Sequence, residues 1–173
     1  MEFVIEKWGR PYFPHSIRKI GKKGTSLNPE GGRIMEFERG INYYELDGMN
    51  VVHHSNYIRY MEEARIYLLD KIGLPYKKIE DNGIMIPVLE VNYKYKLPAR
   101  FGDVIVIKVN IDEFDGIKLK IKYEIKNKET GKILGTGETK HCFTNSNMRP
   151  VSLKKVNKEF FDKFEKSTIK SEN

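Results

Sequence analysis

Residues 44–65 read Tyr-Glu-Leu-Asp-Gly-Met-Asn-Val-Val-His-His-Ser-Asn-Tyr-Ile-Arg-Tyr-Met-Glu-Glu-Ala-Arg. The run sets one carboxylate, Asp47, just before an apolar step, a His pair and the start of an amphipathic helix. A carboxylate on a turn beside a helix N-terminus can act as base or nucleophile, while free backbone N–H groups polarise a carbonyl. That combination suggests acyl chemistry. Each residue also has a plainer reading. An Asp before a helix commonly serves as a turn or capping residue, and a lone His54 commonly packs as a half-buried structural side chain. If the segment is extended, His53 and His54 point to opposite faces, which sends His53 to packing or to a pocket rim. The adjacent pair lacks the spacing of a helical metal site, and no other His, Cys or carboxylate cluster completes one, so no metal is expected.

The elements around this run follow from periodicity. A short strand is predicted over 36–44, and Ser55 is a fair N-cap for a helix running to about Ile72. Tyr57, Tyr60, Met61, Ala64, Leu68 and Ile72 recur at helical spacing, and Gly73 with Pro75 ends the helix. From Ile84 to Tyr95 the chain turns to strand, with Val91, Tyr93 and Tyr95 on one face and Asn92, Lys94 and Lys96 on the other. A strand over 104–111 follows, then Asp115-Gly116 as a hairpin of type I′, in which both central residues take positive φ. Ile117, Leu119, Ile121, Tyr123 and Ile125 alternate with Lys118, Lys120, Lys122, Glu124 and Lys126, the pattern of a half-buried strand. A last strand spans 133–144, and Val156, Phe160, Phe161 and Phe164 suggest a short closing helix. One strand, one long helix and four further antiparallel strands make an α+β domain in which the sheet wraps the helix. Such a sheet covers the helix on one side and leaves an edge, so self-association is expected.

Bulk properties bound the function. A chain of 173 residues is about one domain long, and 39% hydrophobic with 32% charged residues is a globular balance. No apolar run approaches the roughly 18 residues that span a bilayer, and charged residues stand where a signal peptide needs its apolar core, so the expected location is the cytoplasm. The net charge is +7, but the Lys residues are spread along the chain at alternate strand positions, which reads as a solvated sheet face; nucleic acid is not the expected partner. Residues 1–34 hold eight Gly and Pro without a sustained period and carry seven Lys or Arg against three Glu. They read as a basic arm ahead of a 35–150 domain and a 151–173 C-terminal helix and tail. The single Cys142 excludes an intramolecular disulfide and, beside His141 in a strand, reads as a small buried hydrophobe rather than a nucleophile. Gly135-Thr136-Gly137 is too short for a phosphate loop and suits a bulge.

The stretch from Tyr44 to Arg65, followed by Leu97-Pro98-Ala99-Arg100, resembles the hotdog-fold acyl-CoA thioesterases of the 4-hydroxybenzoyl-CoA thioesterase type. The matching positions are Asp47, Val51, Val52, His54, Ser55, Asn56, Tyr57 and the run from Glu62 to Arg65. Two positions depart from the family pattern: Asn50 stands where Gly is usual, and His53 where an aromatic is usual. Asn tolerates left-handed backbone better than other non-Gly residues, so the turn can survive. The family often carries Asp-Thr-Asp where this chain has Glu45-Leu46-Asp47, and the second carboxylate is the one kept.

The resemblance implies a hotdog fold, an antiparallel sheet wrapped around a central helix, and hydrolysis of an acyl-CoA or acyl-carrier-protein thioester. Asp47 would be nucleophile or general base, and the backbone N–H near His54 would hold the carbonyl oxygen, with the His54 side chain orienting substrate or moving a proton. Asn50, Val51, Val52, Ser55, Asn56, Tyr57 and Arg100 are the expected substrate contacts; Lys94 and Lys96 join Arg100 as candidates for the phosphates. Asn56 could instead stabilise the turn. No cofactor is expected, coenzyme A being part of the substrate, and a homodimer or homotetramer would share each site between subunits. A separate hotdog clade takes its carboxylate from the central helix, which keeps Glu62 and Glu63 as competitors. The other function class is a non-catalytic module that binds acyl thioesters for regulation; an enoyl-thioester hydratase is disfavoured because its Asp/His spacing differs.

Overall fold

The computed structural model describes residues 26–27 and 33–169 of the chain. Most of the predicted 1–34 arm therefore lies outside the described residues. The strands are β1 (Ser26–Leu27), β2 (Arg33–Gly40), β3 (Val88–Tyr95), β4 (Val104–Phe114), β5 (Lys118–Asn127) and β6 (Ile133–Cys142). They form one sheet in the order β1-β2-β4-β5-β6-β3, with every pairing antiparallel. The helices are α1 (Asn56–Lys71), α2 (Tyr76–Asp81), α3 (Leu153–Val156) and α4 (Lys158–Ser167).

The long helix α1 forms where its apolar stripe demands a core. Tyr57, Tyr60, Met61, Ala64, Leu68 and Ile72 are all buried, and they meet Ile105, Ile107, Val109 and Ile111 of β4 and Leu119, Ile121, Tyr123 and Ile125 of β5 in one cluster. Each buried Leu, Ile, Val or Met among them contributes about 1.5–3 kcal/mol by leaving water. Gly73, at φ 76°, stops the helix. Ser55 does not cap it. Its backbone is already helical and its side chain makes no capping bond, because Oγ is engaged by His53 Nδ1 at 2.8 Å.

Several expectations shift. The first strand of the domain is β2, which ends at Gly40; Tyr43–Glu45 is a 3-10 turn instead of strand, closed by the Asn42 N–H donating to Glu45 Oε2 at 2.7 Å. The short α2 is additional to the predicted elements. The β4–β5 hairpin has positive φ at Gly116 alone, 91°, with Asp115 pairing Lys118 across it and capping Ile117 and Lys118 N–H through Oδ1, so it is not a type I′ turn. The last strand ends at Cys142.

Val156 is exposed and outside α4, whereas Phe160 and Phe164 join the main core, and the C-terminal segment stays on the domain as far as Ile169, whose N–H donates to Ile111 O at 3.1 Å. The register shift between β5 and β6 falls between the Ile125–Gly135 and Lys126–Ile133 pairs, at Leu134 rather than on the glycines. Gly135 and Gly137 serve close approach: a Cβ on Gly137 would strike Met61 Sδ and the Tyr93 ring, and one on Gly135 the Tyr93 hydroxyl. At the sheet edge, β3 leaves Leu89 59% and Tyr95 53% exposed, so the predicted apolar face of Val91, Tyr93 and Tyr95 is only partly covered.

Candidate active site

A tight loop between the 3-10 turn and α1 presents Asp47. Leu46 bridges Val52, Asp47 N donates to Val51 O at 2.9 Å, and Asn50 N donates back to Asp47 O at 3.0 Å. The turn needs one left-handed residue, and Asn50 supplies it at φ 57°. The Asp47 carboxylate accepts from Met49 N at 2.8 Å through Oδ1; among the described residues no bond engages Oδ2. The loop is stitched to the segment after β3 by Val52 N donating to Ala99 O at 2.9 Å.

A cavity of about 310 Å³ opens beside it. Asp47, Met49, Val51, Val52 and His54 form one wall, and Tyr57 of α1 with Tyr95, Lys96, Leu97 and Pro98 forms the other. Tyr57 is locked there: its hydroxyl accepts from Ala99 N at 3.2 Å, and its ring lies 5.0 Å from Tyr93 and 5.4 Å from Tyr95. Burial pushes its phenol above the ordinary value, so it stays neutral. Tyr95 donates from its hydroxyl to His54 O at 3.0 Å, fixing the His54 peptide. The N–H of His54 donates to no acceptor among the described residues, and it sits two residues before the first residue of α1. Such an N–H at a helix start is a donor available to a ligand.

Of the expected residues, Asp47, Val51, Val52, His54 and Tyr57 are brought together around this cavity. Asn50, Ser55, Asn56 and Arg100 do not line it. Asn56 is buried and donates from Nδ2 to Glu45 O at 2.8 Å, the turn-stabilising role. Arg100 is exposed beyond Ala99, and its backbone N–H is held by Asp103 Oδ2 at 2.8 Å. Lys96 lines the cavity and Lys94 does not. The two His rings lie 4.1 Å apart, so His53 does not point away from His54; the chain turns here, Asn56 N donating to His53 O. Met49, Tyr95, Leu97 and Pro98 were not singled out as substrate contacts from the sequence. For Tyr95 the strand alternation was a usable signal, and Leu97-Pro98 belongs to the matched segment.

Glu62 and Glu63 lie off the cavity. Glu63 is tied to Arg39 at 2.9 Å, and burial raises its carboxyl above the usual range against the pull of that guanidinium. A larger cavity of about 520 Å³ lies by the β4–β5 hairpin, where Lys120 pairs with Glu113 at 3.0 Å and Lys140 with Glu90 at 2.9 Å. The smaller cavity sets its carboxylate beside the approach to α1, next to the His54 N–H that is free among the described residues. Among the described residues no group of three or more His, Cys, Asp or Glu could hold a metal, and no helix is long and apolar enough to cross a membrane.

Fold and site together define a hotdog protein, its antiparallel sheet wrapped around α1. Residues 41–164 match the thioesterase-like superfamily, and the chain belongs to that family. It is 34% identical over 119 residues to a protein of Aquifex aeolicus (strain VF5) named "Putative esterase", covering 69% of this chain and 91% of that one. It is 29% identical over 135 residues to the Bacillus subtilis (strain 168) protein named "Putative acyl-CoA thioesterase YneP", covering 78% and 97%. Among solved structures, DHNA-CoA thioesterase from Staphylococcus aureus superposes with a TM-score of 0.74 at 28% identity, over 77% of this chain and 89% of that chain. The protein is a thioester hydrolase.

Proposed function

We propose that the protein hydrolyses an acyl-CoA thioester to the free acid and the thiol, in the manner of the 4-hydroxybenzoyl-CoA thioesterase type, with Asp47 as nucleophile or general base. The observation that carries this reading is the cavity shared by Asp47 and His54, in which, among the described residues, one Asp47 carboxylate oxygen and the His54 N–H at the start of α1 have no partner. As nucleophile, Asp47 forms a bond to the thioester carbonyl and expels the thiolate, leaving a mixed anhydride that water cleaves. As base, it takes a proton from the water that attacks. In both routes the His54 N–H meets the oxyanion where its charge develops, and the helix N-terminus adds to that field. Coenzyme A enters as part of the substrate, and this chemistry requires no further cofactor.

The walls Val51, Val52, Tyr57 and Leu97 suit an aryl or aliphatic acyl group. A cavity of about 310 Å³ is at the small end for a ligand site, so the nucleotide lies outside it, where Lys96 and, further along, Arg100 can meet phosphate. The edge strand β3 exposes Val88, Leu89, Val91 and Tyr95 and runs into the cavity wall at Tyr95. A second copy pairing on that edge would close the site from the other side, giving a homodimer or a tetramer of two dimers. A panel of aryl and aliphatic acyl-CoA esters scored by free-thiol release tests the reaction; rates at the buffer level for every ester would defeat it. Light scattering after size exclusion tests the assembly, and a monomer at micromolar concentration would defeat the shared site.

A further inference from the structure

We infer that the buried Arg39–Glu45 ion pair, with Asn56, is the device that holds the catalytic turn against the start of α1, so that these three residues set the rate without touching substrate. The inference rests on the reading that Asp47 and the His54 N–H do the chemistry. Those two groups come from different elements: Asp47 from the loop after the 3-10 turn, His54 from the approach to α1. Something must fix one against the other.

Glu45 is the residue on which both hang. Its carbonyl oxygen accepts from His53 N at 2.9 Å and from Asn56 Nδ2 at 2.8 Å, which joins it to the residue before His54 and to the first residue of α1. Its carboxylate spends both oxygens, Oε1 on Arg39 Nη2 at 2.5 Å and Oε2 on Asn42 N at 2.7 Å. Asp47 follows two residues later. Arg39, near the end of β2, is itself held by Glu63 of α1 at 2.9 Å and lies 4.1 Å over the Tyr60 ring. Sheet, turn and helix therefore meet at Glu45, a residue only 5% exposed.

A buried carboxylate is costly to keep, and apolar residues of the same volume commonly serve stability as well or better. What an ion pair adds is direction: charge-assisted bonds fix distance and angle. Moving the turn away from α1 by a bond length breaks the Glu45 carbonyl links, and a 1 Å misplacement can cost on the order of a hundredfold in rate. None of the three residues lines the catalytic cavity.

The test uses the full chain, steady-state kinetics on an acyl-CoA ester and amide hydrogen exchange. In Arg39→Met, kcat falls about ten- to a hundredfold with KM kept, since the cavity walls stay while the reacting groups lose register; Arg39→Lys restores part of it. In Asn56→Ala, which leaves the ion pair whole, the same split appears at smaller size. Glu63→Gln stays within about threefold, because that contact is on the open side of Arg39. Exchange of the His53 and Asp47 amides quickens in Arg39→Met, while Ile121 and Tyr123 in β5 keep their protection. Wild-type kcat in both Arg39→Met and Asn56→Ala overturns the inference. So does a fall in kcat with the His53 and Asp47 amides still protected, or with β5 equally deprotected. Turnover that survives Asp47→Asn would instead remove the catalytic assignment, and the exchange readout would still report whether the pair holds the turn.

Discussion

Replacing Asp47 by Asn changes charge with little change of shape, and the structure says what each half of that change does. The Asp47 Oδ1 that accepts from Met49 N at 2.8 Å has a counterpart in the Asn side chain, so the loop keeps its internal bond and Asn50 its left-handed turn. What goes is the anion: a neutral amide neither attacks a thioester nor takes a proton from water near neutral pH. Loss of a positioned acid–base group costs roughly two to four orders of magnitude in kcat, about 2.7 to 5.4 kcal/mol in barrier at 1.36 kcal/mol per tenfold. Stability should move by about 1 kcal/mol or less, since one hydrogen bond changes from charged to neutral. KM should stay within about threefold, because Val51, Val52, Tyr57 and Leu97 still line the cavity. Continuous detection of released thiol measures all of this, and the one cysteine, Cys142, is buried and adds little background. Glu62→Gln and Glu63→Gln run in parallel. Asp47→Asn turnover above a tenth of wild type, or its survival while Glu63→Gln abolishes activity, would move the carboxylate to α1 and refute the assignment.

His54→Ala should cost less than about tenfold in kcat if the backbone N–H polarises the carbonyl, since the substitution leaves that donor in place; the same thiol assay decides it. Gly137→Ala forces a Cβ onto Met61 Sδ and the Tyr93 ring and should destabilise by about 1–3 kcal/mol, read as a fall of several degrees in thermal melting. Burial and the nearby Arg65 guanidinium push the His141 imidazole down from 6.5 to about 4. The unfolded chain therefore binds the proton first, and folding stability should be complete above pH 6.5 and fall by about 1.4 kcal/mol per unit toward pH 4; urea melts across that window should show a shallower slope for His141→Gln. Deleting residues 1–25 should leave turnover within about threefold, a cut that spares β1 and β2; a hundredfold loss with the oligomer intact would show that the arm lines the site.

The core was legible where burial is one-sided and regular. The α1 stripe and the β5 alternation are periodic because each element shows one face to the core, and both land within a residue of their predicted bounds. Errors fall where another force decides. Tyr43 and Tyr44 have strand propensity, but Asn42 N–H and the Glu45 carboxylate close a 3-10 turn there. The six-residue α2 has a single buried anchor, Ile79, too few to show a period. In β3 the alternation is real, but the strand is at the sheet edge, and its apolar face stays only partly covered.

The site divides along the same line. Asp47, Val51, Val52 and His54 are neighbours in sequence, and a turn of fixed chemistry brings them together, so local spacing sufficed. Apart from Tyr57, the opposite wall arrives from more than forty residues away, through Val52 N donating to Ala99 O and Ala99 N to the Tyr57 hydroxyl. Those bonds pin the segment after β3 so that Tyr95, Lys96, Leu97 and Pro98 face the cavity and Arg100 falls beyond it. Residue type favoured Arg100 as the phosphate contact, whereas backbone register gives the nearer position to Lys96. For Asn56 the choice between substrate and turn also depended on a distant fact, the burial of Glu45, because an amide beside a cavity binds substrate only if no closer carbonyl claims it.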